Sequence, residues 1–102
     1  LAQVGSLDFE SPDLETFRCL ALAREAGVAG GTAPCVLNAA DEVAVSAFLE
    51  SSVAFSAIAE LVERALDELP PEPVTHFDQL FELDRRAREL TRGLVERQGA
   101  LR

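Results

Sequence analysis

The sequence predicts an all-α protein: a small up-and-down four-helix bundle preceded by an extended N-terminal arm. The chain of 102 residues is 48% hydrophobic but contains no Met, Trp or Tyr, so its core must be built from Leu, Val, Ala and six Phe. Apolar residues recur every three or four positions in segments separated by Gly or Pro, which is the helical period. The sequence shows no alternation of strand and helix patterns, which a parallel sheet would require. We therefore expect an arm at residues 1–11 and one bundle domain at residues 12–102.

The first predicted helix runs from about Pro12 to Ala26. The preceding residues, LAQVGSLDFES, show no helical period and are expected to be extended. Ser11 offers an N-cap, and Pro12 suits the first helical position because its missing N–H needs no acceptor there. The glycine-rich segment 27–31 is expected to end the helix. The apolar positions predict a broad buried stripe, which comprises Leu14, Phe17, Leu20, Ala21, Leu22 and Ala23.

The second predicted helix starts near Thr32, which can cap it, and ends around Glu50. On a helical wheel, Asn38, Glu42 and Ser46 form a narrow polar stripe. Apolar residues border this stripe on both sides, so the helix is expected to be buried by more than one partner. The opposite face is apolar and rich in small residues, namely Val36, Ala40, Val43, Ala44 and Ala47.

The third predicted helix begins after Ser56, a possible cap, and is ended by Pro70 and Pro71, which cannot continue it. Acidic and basic residues alternate with the apolar ones, so one side is expected to face solvent. The other side is expected to be buried and comprises Ile58, Leu61, Val62, Ala65, Leu66 and Leu69.

The last helical segment is predicted in two pieces. Thr75 and Asp78 have the spacing of a capping box, which favours a short helical turn through Phe81. Asp84 then offers a second cap for a final helix that ends at about Gln98. The apolar positions form one seam for packing on a neighbouring helix, namely Leu80, Leu83, Ala87, Leu90 and Leu94.

The charge distribution excludes some classes of partner. The net charge is −9, which is unsuited to a nucleic-acid phosphate backbone. Residues 84–102 hold six Arg and three acids, a charge of +3 that leaves −12 for the rest, so the tail helix is expected to rest against an acidic body. No apolar run approaches the roughly 18 residues of a membrane span, and no basic segment followed by an apolar one suggests a signal peptide. We expect a cytoplasmic protein that binds neither nucleic acid nor membrane.

Asn38, Asp41 and Glu42 are the polar groups most suggestive of chemistry. One hypothesis is that Asp41 and Glu42 act as acid and base or as metal ligands. Adjacent residues on a helix project about 100° apart, so the two carboxylates cannot easily share one ion or proton. No His lies nearby. We favour a structural role, in which Asn38 and Glu42 bond to backbone groups of neighbouring loops or of a neighbouring domain.

The remaining reactive groups also favour structural interpretations. His76, the only histidine, stands in a Pro-flanked linker, where a surface or capping role is expected. Cys19 and Cys35 are expected to be buried free thiols, with a disulfide between the two helices as the alternative. The glycines of AGVAGG, residues 26–31, follow a helix, which favours a helix stop over a phosphate-binding loop. No GxSxG context surrounds Ser46, Ser51, Ser52 or Ser56.

Three stretches of the sequence resemble the C-terminal part of the 1-deoxy-D-xylulose 5-phosphate reductoisomerase family. They are FRCLALA (residues 17–23), GGTAPCVLNAADEVAVSAFL (residues 30–49) and DRRAREL (residues 84–90). The family pattern usually has Asn-Glu where this chain has Asp41-Glu42, and often Pro-Cys where it has Arg18-Cys19. Asp41 adds a charge and removes two hydrogen-bond donors, which puts one local hydrogen bond in doubt.

The resemblance implies a three-part enzyme, expected to be a homodimer, that uses NADPH and Mg²⁺ or Mn²⁺. It converts 1-deoxy-D-xylulose 5-phosphate to 2-C-methyl-D-erythritol 4-phosphate in non-mevalonate isoprenoid biosynthesis. The nucleotide and metal sites belong to the other two domains, which are this domain's expected partners. We therefore predict no catalytic, cofactor-binding or metal-ligating residue in this chain, and no activity for the chain alone.

The N-terminus favours the same interpretation, because a chain that begins at Leu1 and lacks Met is expected to be a piece of a longer protein. The alternative is a free-standing acidic helical adaptor that binds a protein partner through its alanine-rich faces. A metal-binding bundle is disfavoured because no Glu-x-x-His motif occurs.

Overall fold

The computed structural model of the protein is a bundle of four α-helices. It describes the backbone of residues 12–101 and the side chains of residues 13–98. The helices are α1 (Pro12–Ala29), α2 (Ala33–Leu49), α3 (Ala57–Glu68) and α4 (Phe77–Leu101). The described residues form no strand, and the predicted all-α class is confirmed. The arm predicted at residues 1–11 lies outside the described part of the chain.

Helix α2 is the centre of the bundle and packs against α1, α3 and α4. Its alanines let the neighbouring helices approach closely, because small side chains keep the backbones near one another. The prediction that this helix has more than one partner is confirmed. Its polar stripe of Asn38, Glu42 and Ser46 is exposed. The buried residues of α2 are Ala33, Val36, Ala39, Ala40, Val43, Ala44 and Ala47.

Helix α4 is a single uninterrupted helix, so the predicted break and cap at Asp84 are wrong. Asp84 lies within the helix, where its Oδ2 accepts a hydrogen bond of 2.9 Å from Nε of Arg88. A pair of opposite charges four residues apart stabilises a continuous helix, whereas the predicted cap would have required a new helix to begin at Asp84. The predicted capping box between Thr75 and Asp78 is also wrong. The N–H of Thr75 donates to Oε1 of Gln79 at 2.8 Å, and Asp78 takes no part in this contact.

The buried side of α1 differs from the predicted one. Leu22 and Ala26 are buried as core residues and Glu15 is only 1% exposed, whereas Phe17 is 66% and Leu20 60% exposed. Positions 15, 19, 22 and 26 lie on one side of a helix, and this side faces the bundle. The prediction was wrong because it counted apolar residues only and so left Glu15 out of the buried side. The helix also continues through Gly27 and ends at Ala29.

The carboxylate of Glu15 binds the N-terminus of α3. Its Oε2 accepts a hydrogen bond of 2.7 Å from the backbone N–H of Ala59. Ala59 is the third residue of α3, so this N–H has no acceptor within the helix and belongs to the positive end of the helix dipole. Ser56, the predicted cap, makes no side-chain capping hydrogen bond. Glu15 therefore caps α3 from a different helix and joins α1 to α3.

The turn between α1 and α2 is joined to the linker between α3 and α4. The N–H of Thr32 donates to the carbonyl oxygen of Glu72 at 2.9 Å, and the N–H of Glu72 donates to Oγ1 of Thr32 at 2.9 Å. Gly31 permits this approach, because it has a φ of +56° and a Cβ at its position would collide with the Glu72 carbonyl. The hydroxyl of Thr32 thus binds the linker, and the prediction that it caps α2 is wrong.

We predict that Gly31→Ala lowers the free energy of unfolding of the chain by about 2–4 kcal/mol, because it combines a left-handed φ with a backbone collision. Gly27→Ala is the matched control. Gly27 lies within α1 with open space at its Cβ position, so its substitution is expected to stabilise by about 0.5–1 kcal/mol. Urea unfolding followed by circular dichroism measures both. Equal effects of the two substitutions would contradict the junction.

We predict that Glu15→Ala destabilises the chain by about 2–4 kcal/mol, because it leaves the N–H of Ala59 buried without an acceptor and opens a cavity. Glu15→Gln keeps an acceptor oxygen and is expected to cost about half as much or less. Glu25→Ala, at an exposed position of the same helix, is the control and is expected to stay within about 0.5 kcal/mol. The same unfolding experiment tests all three, and a Glu15→Ala variant as stable as the control would argue against the cap.

Candidate functional site

The polar stripe of α2 is part of a chain of hydrogen bonds that leads to α4. Nδ2 of Asn38 donates to Oε2 of Glu42 at 3.3 Å, and Oε1 of Glu42 accepts from Nη2 of Arg88 at 3.2 Å. Arg88 continues the chain to Asp84 within α4. The prediction that Asn38 and Glu42 bond to backbone groups of neighbouring loops is therefore wrong, because side chains satisfy them. A bond to a neighbouring domain stays a prediction.

The Glu42–Arg88 pair joins α4 to α2 but contributes little to the stability of the bundle. The Glu42 side chain is 56% and the Arg88 side chain 27% exposed, and pairs at such positions contribute about 0.2–1 kcal/mol. The hydrogen bond to Asp84, and then the one to Glu42, raise the pKa of Arg88 above its ordinary value. Arg88 is a tail arginine that contacts an acid of another helix, as the charge distribution predicted.

Two grooves flank the exposed side of α2. The polar groove, of about 430 Å³, lies between α2 and α4 and contains both acids and arginines. The apolar groove, of about 280 Å³, lies between α1, α2 and α3. Glu42 lines the polar groove and Asp41 the apolar one, which agrees with the prediction that the two carboxylates diverge too far to share one ion.

The polar groove carries both signs of charge, with three glutamates and two arginines in its lining. Arg88 and Arg92 line it together with Glu42, Glu50 and Glu96, so a bound anion or cation would meet both signs of charge. Arg88 is already bonded to Glu42 and Asp84. The groove therefore offers a charged surface for orienting helices and no concentrated site for a phosphate.

The apolar groove differs because its single charged residue is a carboxylate. Burial, and then the adjacent Glu42, raise the pKa of Asp41 above its ordinary value of 3.8. Asp41 forms no hydrogen bond or ion pair with the residues whose side chains are described, so the local bond that the Asn-to-Asp departure put in doubt is not made. The groove was not predicted, because Leu20 was assigned to the core. Choosing Glu15, Cys19, Leu22 and Ala26 as the buried side of α1 would have revealed it.

The two cysteines are free, as predicted, but they are half-buried and not buried, and the alternative disulfide is wrong. Sγ of Cys35 donates to the carbonyl oxygen of Leu80 at 3.5 Å, and Sγ of Cys19 lies 4.0 Å from Oε2 of Glu15. Burial raises the pKa of both thiols, with Glu15 adding to the effect at Cys19 and Asp84 at Cys35. Neither has the low pKa of a nucleophilic cysteine.

The other candidates remain dispersed. His76 is exposed in the linker before α4, and the four serines that follow Ala44 lie in α2 or the loop after it. The residues with described side chains include no group of three or more His, Cys, Asp or Glu that could hold a metal ion. None of the described helices is long and apolar enough to cross a membrane.

Comparison with known proteins gives one consistent result. The family model described as the DXP reductoisomerase C-terminal domain matches residues 1–90. The chain is 50% identical over 99 residues to 1-deoxy-D-xylulose 5-phosphate reductoisomerase of Pseudomonas putida, a match that covers 97% of this chain and 25% of that protein. It is 55% identical over 91 residues to the Xanthomonas oryzae pv. oryzae protein of the same name, covering 89% and 23%. The chain thus spans about a quarter of these relatives. Nothing in the comparisons supports the adaptor alternative.

We predict that Asp41→Asn raises the melting temperature of the chain at neutral pH. The folded-state pKa of Asp41 is raised, so its contribution to stability is favourable below the ordinary pKa of 3.8 and is lost as the pH rises through the folded pKa. The gain should therefore shrink as the pH falls toward 3.8. Asp67→Asn, at an exposed position of α3, controls for removing one charge from a chain of −9. Thermal melts across this range test the prediction, and a pH-independent gain would contradict it.

Proposed function

Since the chain belongs to the DXP reductoisomerase C-terminal domain family, we propose that it serves as the helical C-terminal domain of an NADPH- and divalent-metal-dependent reductoisomerase. The enzyme would convert 1-deoxy-D-xylulose 5-phosphate to 2-C-methyl-D-erythritol 4-phosphate. The observation that carries the proposal is the family match, which extends over residues 1–90 of 102. Division into an arm at residues 1–11 and a bundle at residues 12–102 is part of the same proposal, and the homodimer and the cytoplasmic location stay predictions.

The proposed role of this chain is architectural. The described residues offer no cluster suited to a metal ion, so they do not fit the metal, and no step of the reaction is assigned to them. NADPH and metal would be held by the domains that account for the other three-quarters of the relatives' length. This bundle would hold those domains at a fixed angle. Misplacing reacting groups by about 1 Å can cost on the order of 100-fold in rate, so a remote scaffold can influence turnover strongly.

The bonds between elements suit the chain to that role. Glu15 joins α1 to α3, Thr32 joins the first turn to the last linker, and Glu42 joins α2 to α4. Each contact fixes the position of one element relative to another that is distant in sequence. A bundle fixed in this way resists shear between its helices and can transmit a defined geometry to the domains packed against it.

We predict that the 102-residue chain alone does not oxidise NADPH in the presence of 1-deoxy-D-xylulose 5-phosphate and Mg²⁺, whereas the complete enzyme encoded by its gene does. Spectrophotometric NADPH consumption measures both. An inactive complete enzyme would refute the proposed function, and turnover by the chain alone would refute the architectural role.

The orienting role of Glu42 is tested in the same assay. Glu42→Leu in the complete enzyme removes the α2–α4 pair and is expected to lower both the melting temperature and kcat, with the kcat loss reaching about tenfold. Glu60→Leu, at an exposed position of α3, is the control for adding an apolar residue to the surface. Unchanged melting and unchanged turnover of Glu42→Leu would discard the orienting role.

A further inference from the structure

The apolar groove is an open hydrophobic surface at the junction of three helices. Leu20 and Ala23 of α1, Leu37 of α2, and Phe55 and Val62 near and on α3 line it. The apolar surface continues along α1, since Leu20 is 60% exposed and Phe17, one turn earlier, is 66% exposed. A concave apolar surface with an exposed apolar margin is typical of a contact region for another polypeptide.

The carboxylate of Asp41 at the edge of the groove lacks a cation. The ion pairs of the described arginines involve Glu15, Glu42, Glu63, Glu82, Asp84 and Glu89, and none involves Asp41. Burial and the adjacent Glu42 disfavour its charged form, as the raised pKa shows. A cation brought to this position would stabilise the charged form of Asp41, because an opposite charge within a few ångströms favours an ionised carboxylate. The groove is therefore complementary to an apolar segment that carries one positive charge.

We propose that the apolar groove between α1, α2 and α3 binds an apolar segment bearing an Arg or Lys, contributed by the part of the enzyme that lies outside this chain. The apolar side chains would cover Leu20 and Phe55, and the cation would pair with Asp41. The proposal rests on the proposed function, because it takes its partner from the rest of the reductoisomerase. It goes beyond that function by naming the surface and the chemistry of the contact.

Charge argues against the two other occupants. Residues 1–11 contain Asp8 and Glu10 and no Arg, Lys or His, so this segment would place acids beside Asp41. A second copy of the chain carries a net charge of −9, which opposes association of two copies. Each of these two occupants would change the labelling rate of Cys19 in its own way.

The two cysteines provide a reporter and an internal control. Cys19 lines the groove, whereas Cys35 lies between α2 and α4 against the carbonyl of Leu80. N-ethylmaleimide labelling at mildly alkaline pH, read by peptide mass spectrometry, gives the rate at each thiol in the 102-residue chain and in the complete enzyme. We expect Cys19 to react about tenfold more slowly in the complete enzyme, and Cys35 to change by less than about threefold. Equal Cys19 rates in the two proteins would overturn the proposal.

A charge reversal tests the role of Asp41. In the complete enzyme, Asp41→Arg opposes the incoming cation and is expected to return the Cys19 rate to within about threefold of that in the isolated chain. Asp67→Arg makes the same change at an exposed position of α3 outside the groove and is expected to leave Cys19 protected. Asp41→Asn, the milder variant, should give an intermediate rate. Identical Cys19 rates in the Asp41 and Asp67 variants would overturn the proposal.

The remaining outcomes separate the alternatives. If residues 1–11 fill the groove, deleting them from the isolated chain accelerates Cys19 labelling, which overturns the proposal. If a second copy fills it, the Cys19 rate in the isolated chain falls as its concentration rises, which also overturns it. An active complete enzyme with unprotected Cys19 refutes only the docking site, whereas an inactive complete enzyme refutes the proposed function.

Discussion

The bundle depends on a carboxylate that caps a helix other than its own. Glu15 is almost fully buried, and its hydrogen bond to the N–H of Ala59 satisfies a donor at the start of α3. A buried carboxylate is costly without a partner, so α1 and α3 can pack only in the register that brings these two groups together. Arg18 strengthens the same junction, because its guanidinium lies 3.9 Å from both Glu15 and Glu63. This constraint determines which side of α1 is covered.

The side of α1 that is covered determines which surfaces lie on either side of α2. Once Glu15 points inward, Leu20 and Phe17 face outward, and an apolar groove opens on the α1 side of α2. The other side of α2 faces α4 through a charged contact, in which Glu42 meets Arg88. The central helix therefore separates two unlike environments, with Asp41 on one and Glu42 on the other. A carboxylate pair that suggested catalysis in the sequence is divided between them.

Periodicity predicted the elements whose faces are chemically uniform and failed where one polar residue was decisive. The buried sides of α2 and α3 follow from their apolar spacing, because each carries its charges on the opposite side. On α1, a glutamate within the buried side has no signal of its own in a single sequence, since its acceptor role depends on a helix some 40 residues later. At Asp84 the sequence predicted a helix cap that the structure does not have, because an aspartate suited to a cap is equally suited to an ion pair with an arginine four residues later. Local chemistry allowed both, and tertiary contacts decided between them.

The continuity of α4 has a mechanical consequence. Its 25 residues form a rod of about 37 Å with no hinge at Asp84. Phe77 and Phe81 are exposed at one end, and Leu94 is anchored in the core near the other. Leu83, Ala87 and Thr91 are buried between these two ends, so the rod rests on the bundle along most of its length, and a neighbour that pushes on the two phenylalanines would load the whole helix. That load would pass directly to α2, the helix against which α4 packs.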